Sequence, residues 1–234
     1  MTEALYWKDS YVKDFEAKIV KLDGNKVFLD KTYFYAAGGG QPCDAGKLIC
    51  DNNEAIVVNV RKEDGEIVHE VDNNFLKEHD AVKGIIDWER RYKLMRMHTA
   101  THVLCAVIHK ETGALITGNQ LDVDKTRIDF NLENFDREKI NEYFKNANEI
   151  VMKDMKVSVE FISREEAEKD SSLVKLAMGM PSHFKEVRIV NIGDFDRQAD
   201  GGTHVHSTKE IRELRLVGCE NKGKNNRRIY FELV

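Results

Sequence analysis

Over roughly the first third of the chain, apolar positions recur in short, partly alternating runs; after that they recur with a helical period. Residues 15–20, 26–29, 45–50, 55–61 and 67–71 are the short runs. Asp23-Gly-Asn, Asp51-Asn-Asn and Glu63-Asp-Gly separate them with residues that favour turns. Several short strands at even spacing predict a small barrel or sandwich. From residue 88 to 111 the pattern changes. Leu94, Met97, Val103, Leu104, Val107 and Ile108 fall at helical spacing, with neither Pro nor Gly before Gly113. Residues 127–132 alternate as a strand does. Residues 136–155 form an amphipathic helix pattern through Ile140, Tyr143, Phe144, Ala147, Ile150 and Val151, with Asp136 placed to cap it. A strand is predicted over 157–162. Ser163 and Glu166 have the spacing of a capping box opening another helix. Residues 187–192, 213–217 and 228–233 read as strands, and 194–199 as an acidic loop. Strands and helices that do not strictly alternate predict an α+β fold. The expected order is a small N-terminal β-barrel domain over 1–87, then an α+β domain over 88–234 with helices packed on a largely antiparallel sheet.

Composition adds limits. The chain of 234 residues is 41% hydrophobic and 33% charged, an ordinary globular balance. No apolar run approaches the roughly 18–20 residues that span a bilayer, so no membrane partner is expected. The start, Met-Thr-Glu-Ala, lacks the basic and apolar regions of a secretory signal. Cys43, Cys50, Cys105 and Cys219 are scattered, with no C-x-x-C pair, which suits free thiols in a cytoplasmic protein. The net charge of −5 is less informative than its distribution. Basic residues gather at Lys83, Arg90, Arg91, Lys93 and Arg96, and again at Lys222, Lys224, Arg227 and Arg228.

The candidate chemistry lies in two segments about a hundred residues apart. His98-Thr-Ala-Thr-His102 puts two imidazoles one turn apart on a helix face, a spacing from which both can reach one metal ion. Asp200-Gly-Gly-Thr-His204 offers a carboxylate and a third imidazole, with paired glycines suited to a tight bend. His206 is an alternative ligand should Asp200 not serve. The segment is not H-E-x-x-H, because Thr99 stands where a metalloprotease has its glutamate. Gly38-Gly-Gly-Gln-Pro42 has neither the Lys-Ser/Thr ending nor the following helix of a P-loop. Its bare backbone would permit close approach to a ligand.

These segments, His98-Thr-Ala-Thr-His102-Val-Leu, Gly201-Gly-Thr-His204-Val and Tyr35-Ala-Ala-Gly-Gly-Gly-Gln-Pro42, resemble the editing domain of alanyl-tRNA synthetase and its free-standing AlaX relatives of the mid-length type. The resemblance implies a deacylase that removes serine, and also glycine, from mischarged tRNA(Ala). A synthetic pocket built for alanine excludes neither well, so a second hydrolytic site is needed. It further implies one Zn²⁺ per chain, on His98, His102, His204 and a fourth position. There the family usually has Cys, and this chain has Asp200. Asp200, Thr99 and Gln41 become the candidate catalytic residues. Thr117, Thr101, Gly38, Gly39, Gly40 and Gln41 become candidate substrate contacts, the glycine loop being placed by the family against the editing pocket. Arg90, Arg91, Lys222, Lys224, Arg227 and Arg228 become candidate phosphate contacts for tRNA. No obligate protein partner is evident. The competing expectation is a non-catalytic tRNA-binding protein whose metal site has degenerated at Asp200. Nothing in the chain resembles an amino-acid activation domain.

Overall fold

The computed structural model describes residues 1–73, 75–132, 136–175, 185–223 and 226–234. Two compact units result, Met1–Lys93 and Leu94–Val234. The strands of the first are β1 (Glu3–Ala4), β2 (Asp14–Asp23), β3 (Lys26–Leu29), β4 (Lys31–Thr32), β5 (Gly46–Cys50), β6 (Asn53–Glu63), β7 (Glu66–Val71) and β8 (Ala81–Ile86). Six of them close a barrel in the order β2-β3-β7-β6-β5-β8, while β1 and β4 form a short parallel pair. The turn signals in the sequence become two-residue hairpin loops. Asp51-Asn52 joins β5 to β6 and Asp64-Gly65 joins β6 to β7, with positive φ at both central positions. That left-handed pair is the turn whose twist matches the flanking strands, and Asp, Asn and Gly are the residues that tolerate it.

Inward positions of the barrel strands, among them Ile19, Val27, Leu29, Leu48, Val57 and Val60, are fully buried, and Phe34 joins them. Strand β8 had no clear sequence signal because Gly84 interrupts it. In the fold the Phe15 ring covers that glycine so closely that a Cβ there would lie 2.5 Å from Phe15 Cζ. A buried ion pair also belongs to this unit. Arg91 Nε donates to both Asp44 oxygens at 2.9 and 3.0 Å, Arg91 Nη1 donates to Ser10 O at 2.8 Å, and Asp44 accepts the Tyr35 N–H at 2.6 Å. Every charge in that pair is matched, as burial demands.

Helix α1 (Trp88–Thr112) starts in the first unit and runs on through the second. From Leu94 to Ile108 every residue but Arg96 is buried. An all-round buried helix is a core element, so its polar residues must find partners inside. The rest of this unit comprises β9 (Ile116–Gln120), β10 (Thr126–Phe130), α2 (Arg137–Val151), β11 (Val157–Ser163), α3 (Arg164–Lys169), β12 (Glu186–Ile192), β13 (Asp196–Ala199), β14 (Leu214–Asn221) and β15 (Arg227–Leu233). They form two antiparallel sheets, β14-β15-β10-β9 and β11-β12-β13. This is the expected α+β architecture. Asp136 caps α2 by accepting the Glu138 N–H, and the Ser163–Glu166 capping box is formed at α3.

Two local expectations need correction. Residues 196–199 are not loop but strand β13, paired with β12 from Ile192↔Asp196 to Ile189↔Ala199. The polar sequence hid it because its inward side chains are Asp196 and Gln198 rather than apolar ones. Helix α2 stops at Val151, four residues short of the periodic pattern, and the chain turns through Asp154 with φ 53°.

Candidate metal centre

Four donor atoms from His98, His102, Asp200 and His204 lie within 4.8 Å of one another in the second unit. Helix α1 supplies the first two on one face, with ring centroids 5.2 Å apart. His204 lies 4.5 Å from the His98 ring and 4.7 Å from that of His102. Asp200 is the residue just after β13. Its N–H donates to Arg188 O at 3.1 Å and its carbonyl accepts from Arg188 Nη1 at 2.9 Å, so β12 anchors the backbone. The carboxylate is set by a local turn, Gly202 N–H donating to Asp200 Oδ2 at 2.6 Å. This is an Asx turn. It corrects the reason expected for the paired glycines, since neither Gly201 nor Gly202 adopts a positive φ.

All three imidazoles present Nε2 to the Asp200 carboxylate. His204 Nε2 stands 2.9 Å from Oδ2, His98 Nε2 3.5 Å and His102 Nε2 3.9 Å from Oδ1. A tetrahedral zinc site with bonds of about 2.0–2.1 Å needs donor separations of about 3.3 Å, which these three bracket.

The tautomers test the fit further. Thr99 Oγ1 donates to Met95 O at 2.9 Å, accepts the Val205 N–H at 3.2 Å and lies 3.2 Å from His204 Nδ1. A hydroxyl has one proton and two lone pairs. When that proton goes to Met95, the contact to His204 is accepted, and Nδ1 then carries hydrogen and Nε2 is bare; in the other tautomer Nε2–H donates to Asp200 Oδ2. A bare nitrogen facing a carboxylate oxygen at 2.9 Å is two acceptors in contact, and a cation between them resolves it. The protonation states agree. Burial lowers His98 to about 4, outweighing the attraction of Asp200. Burial, then the neighbouring His98, holds His204 well below the ordinary imidazole range. Burial alone would raise Asp200, but the three imidazoles outweigh it and hold the carboxyl well below its usual range. A neutral His98 and His204 beside an ionised Asp200 are the donor states that metal binding requires. The residues present fit a divalent cation.

Not every residue singled out in the sequence joins this group. Thr99 does, as a support: its hydroxyl is engaged by Met95 O, the Val205 N–H and His204 Nδ1. Thr101 is buried and donates to Met97 O at 2.9 Å within the helix. Thr117 is exposed on β9 and donates to Asn226 Oδ1 at 3.2 Å. His206 is exposed and outside the group, so it is no substitute for Asp200. Gly38 and Gln41 exchange backbone hydrogen bonds of 3.1 and 2.9 Å across Gly39 and Gly40, both at positive φ. The glycine run is therefore a tight two-residue turn, with Gln41 buried after it.

Among the basic candidates, Arg91 is fully buried and paired with Asp44. Arg227 is likewise buried and donates to Asn221 Oδ1 at 2.9 Å and Gly223 O at 2.6 Å. Arg228 is held in a two-pronged pair with Asp129 at 2.7 and 2.8 Å. Arg90 is half-buried and donates to Cys43 O at 3.2 and 3.1 Å, and the exposed Lys222 is paired with Glu220 at 2.6 Å on the surface. Lys224 lies outside the described residues. No helix is long and apolar enough to cross a membrane among the residues described.

Residues 187–230 match the family described as threonyl and alanyl tRNA synthetase second additional domain, and residues 6–90 match class II (A) tRNA synthetases. The chain is 52% identical to the alanyl-tRNA editing protein AlaX-M of Methanosarcina barkeri over the full length of both. It is 48% identical to the protein of that name from Saccharolobus solfataricus, covering 99% of this chain and 98% of that one. Against the alanine–tRNA ligase of Pyrococcus abyssi it is 38% identical, over 98% of this chain but 26% of the ligase.

Proposed function

The chain belongs to the AlaX-M family of alanyl-tRNA editing proteins, and from that premise we propose that it hydrolyses the ester of mischarged tRNA(Ala), taking Ser-tRNA(Ala) and Gly-tRNA(Ala), with one Zn²⁺ bound. The observation that carries the reading is the convergence of three Nε2 atoms on the Asp200 carboxylate in a buried setting. His98, His102, His204 and Asp200 are the residues that would hold the ion. When bound, zinc supplies a Lewis acid that lowers the pKa of water or polarises an ester carbonyl.

The chain's own residues set the conditions for that chemistry. Thr99 turns His204 so that Nε2 faces inward with a free lone pair. Gly202 and Arg188 hold Asp200 in place through its side chain and backbone. Burial keeps His98 and His204 neutral at physiological pH, so protons do not compete for their donor atoms. Aminoacyl esters are already activated, and hydrolysis then needs chiefly positioned water and a stabilised oxyanion.

The test is deacylation of Ser-, Gly- and Ala-tRNA(Ala) by the purified protein, alongside elemental analysis. Serine and glycine should be released and alanine retained. A chelator or His98→Ala should abolish both zinc and activity. Asp200→Ala should lower metal affinity, and Asp200→Cys should retain or tighten zinc because thiolate is the softer donor. Zinc-loaded protein that binds tRNA but leaves every ester intact would favour the non-catalytic alternative.

A further inference from the structure

His102 meets the metal group through Nε2, and its other ring nitrogen faces away from it. Nδ1 is buried and has no hydrogen-bond partner among the described residues. Asp196, on β13, is also buried, and its Oδ2 is likewise unpartnered. These two atoms face each other at 3.9 Å. The other oxygen of Asp196 is paired with Lys175 Nζ, so a counter-charge fixes the carboxylate from behind. Lys175 is itself buried, and it also accepts the Ile116 N–H at its backbone carbonyl, at 2.9 Å, which ties its backbone to β9.

We propose that Asp196 is the positioning residue for His102, accepting its Nδ1–H and so presenting the bare Nε2 to the metal, with Lys175 holding the Asp196 carboxylate in place. The inference rests on the metal-site reading given above. For Nε2 to ligate, the proton of a neutral imidazole must sit on Nδ1. A buried N–H without an acceptor is costly, and Asp196 Oδ2 is an acceptor without a donor. Closing the gap by about 1 Å brings the pair into hydrogen-bond range and satisfies both atoms at once. Thr99 performs the same service for His204 from the opposite segment of the chain. His102 and His204 then each have a tautomer lock, one from a carboxylate and one from a hydroxyl. Carboxylates in this position also raise ligand basicity.

Removing Asp196 alone would strand Lys175 as a buried charge, so the test uses paired substitutions. Asp196→Leu with Lys175→Met deletes the acceptor and the charge together, whereas Asp196→Asn with Lys175→Met keeps a neutral acceptor. The first should weaken Zn²⁺ binding by about 10–100-fold in a competitive chelator titration, and the second should stay much closer to wild type. Equal affinity in the two double variants overturns the proposal. A second readout needs no metal: nitrogen chemical shifts of the His102 ring in the metal-free protein report which nitrogen carries the proton. Wild type should show the Nδ1–H tautomer and the Leu/Met variant a shift to Nε2–H. A wild-type His102 protonated on Nε2 overturns the proposal even if a variant fails to fold. Wild-type protein that takes up no zinc would instead sink the metal reading, and the tautomer measurement still decides the role of Asp196.

Discussion

Replacing Thr99 with valine tests the reasoning at the metal centre, because the two side chains have nearly the same shape. The hydroxyl serves three partners in wild type: Met95 O, the Val205 N–H and His204 Nδ1. Loss of the bond to Met95 costs little, since a helix carbonyl already has a backbone donor. The Val205 N–H is different. It is buried and would be left unpaired, which costs about 1–3 kcal/mol. His204 has an escape: its proton can move to Nε2, where Asp200 Oδ2 accepts it at 2.9 Å. That tautomer is comfortable for the metal-free protein and wrong for the metal-bound one. Thr99→Val should therefore lower unfolding stability by about 1–3 kcal/mol. It should separately weaken Zn²⁺ binding by about 10–100-fold, which is about 1.4–2.7 kcal/mol. Thr99→Ser retains the hydroxyl and should keep metal affinity. The assays are urea unfolding of the metal-free protein and chelator competition on the folded one. Wild-type zinc affinity in Thr99→Val would refute the tautomer argument, whatever happens to stability. So would a serine variant that loses zinc as badly as valine.

Three further outcomes follow from the fold. His69 is buried in the barrel unit, with Nδ1 3.2 Å from Val27 O and Nε2 2.9 Å from Thr32 Oγ1, and burial lowers it to about 4. Below its unfolded value near 6.5 the unfolded chain binds the extra proton, so this contribution is complete above pH 6.5 and declines as pH falls towards 4, by on the order of 3 kcal/mol. A ring-proton titration giving His69 a midpoint near 6.5 would contradict this. Asp44→Ala should cost about 3–5 kcal/mol in urea unfolding by stranding Arg91, and Asp44→Ala with Arg91→Met should recover part of it; a single variant as stable as wild type would show that the pair is not needed. Arg90→Ala and Lys222→Ala should each reduce the salt slope of tRNA binding by about one, and an unchanged slope for both would remove them from the phosphate contacts.

Elements whose signals are local could be read directly from the order of residues. The hairpin turns at Asp51-Asn52 and Asp64-Gly65 were legible because only a few residues accept two successive left-handed conformations. The caps at Asp136 and Ser163 were legible because a capping bond spans two or three residues. His98 and His102 were paired by helix geometry alone, and resemblance joined them to His204 and Asp200. Partnership over long separations was not legible. Asp196 lies in a segment whose polarity resembles a loop, and only the pairing of β13 with β12 turns its side chain inward towards His102. Nothing local distinguishes Arg91 from its neighbour Arg90. The fold buries one against Asp44, 47 residues earlier in the chain, and leaves the other with exposed surface. Thr99 shows the same division. Its place on the histidine helix was plain in the sequence, but its role depends on His204, 105 residues away. Local conformation follows from backbone sterics within a few residues. Burial and the matching of buried donors to acceptors depend on which distant segments the packed core brings together.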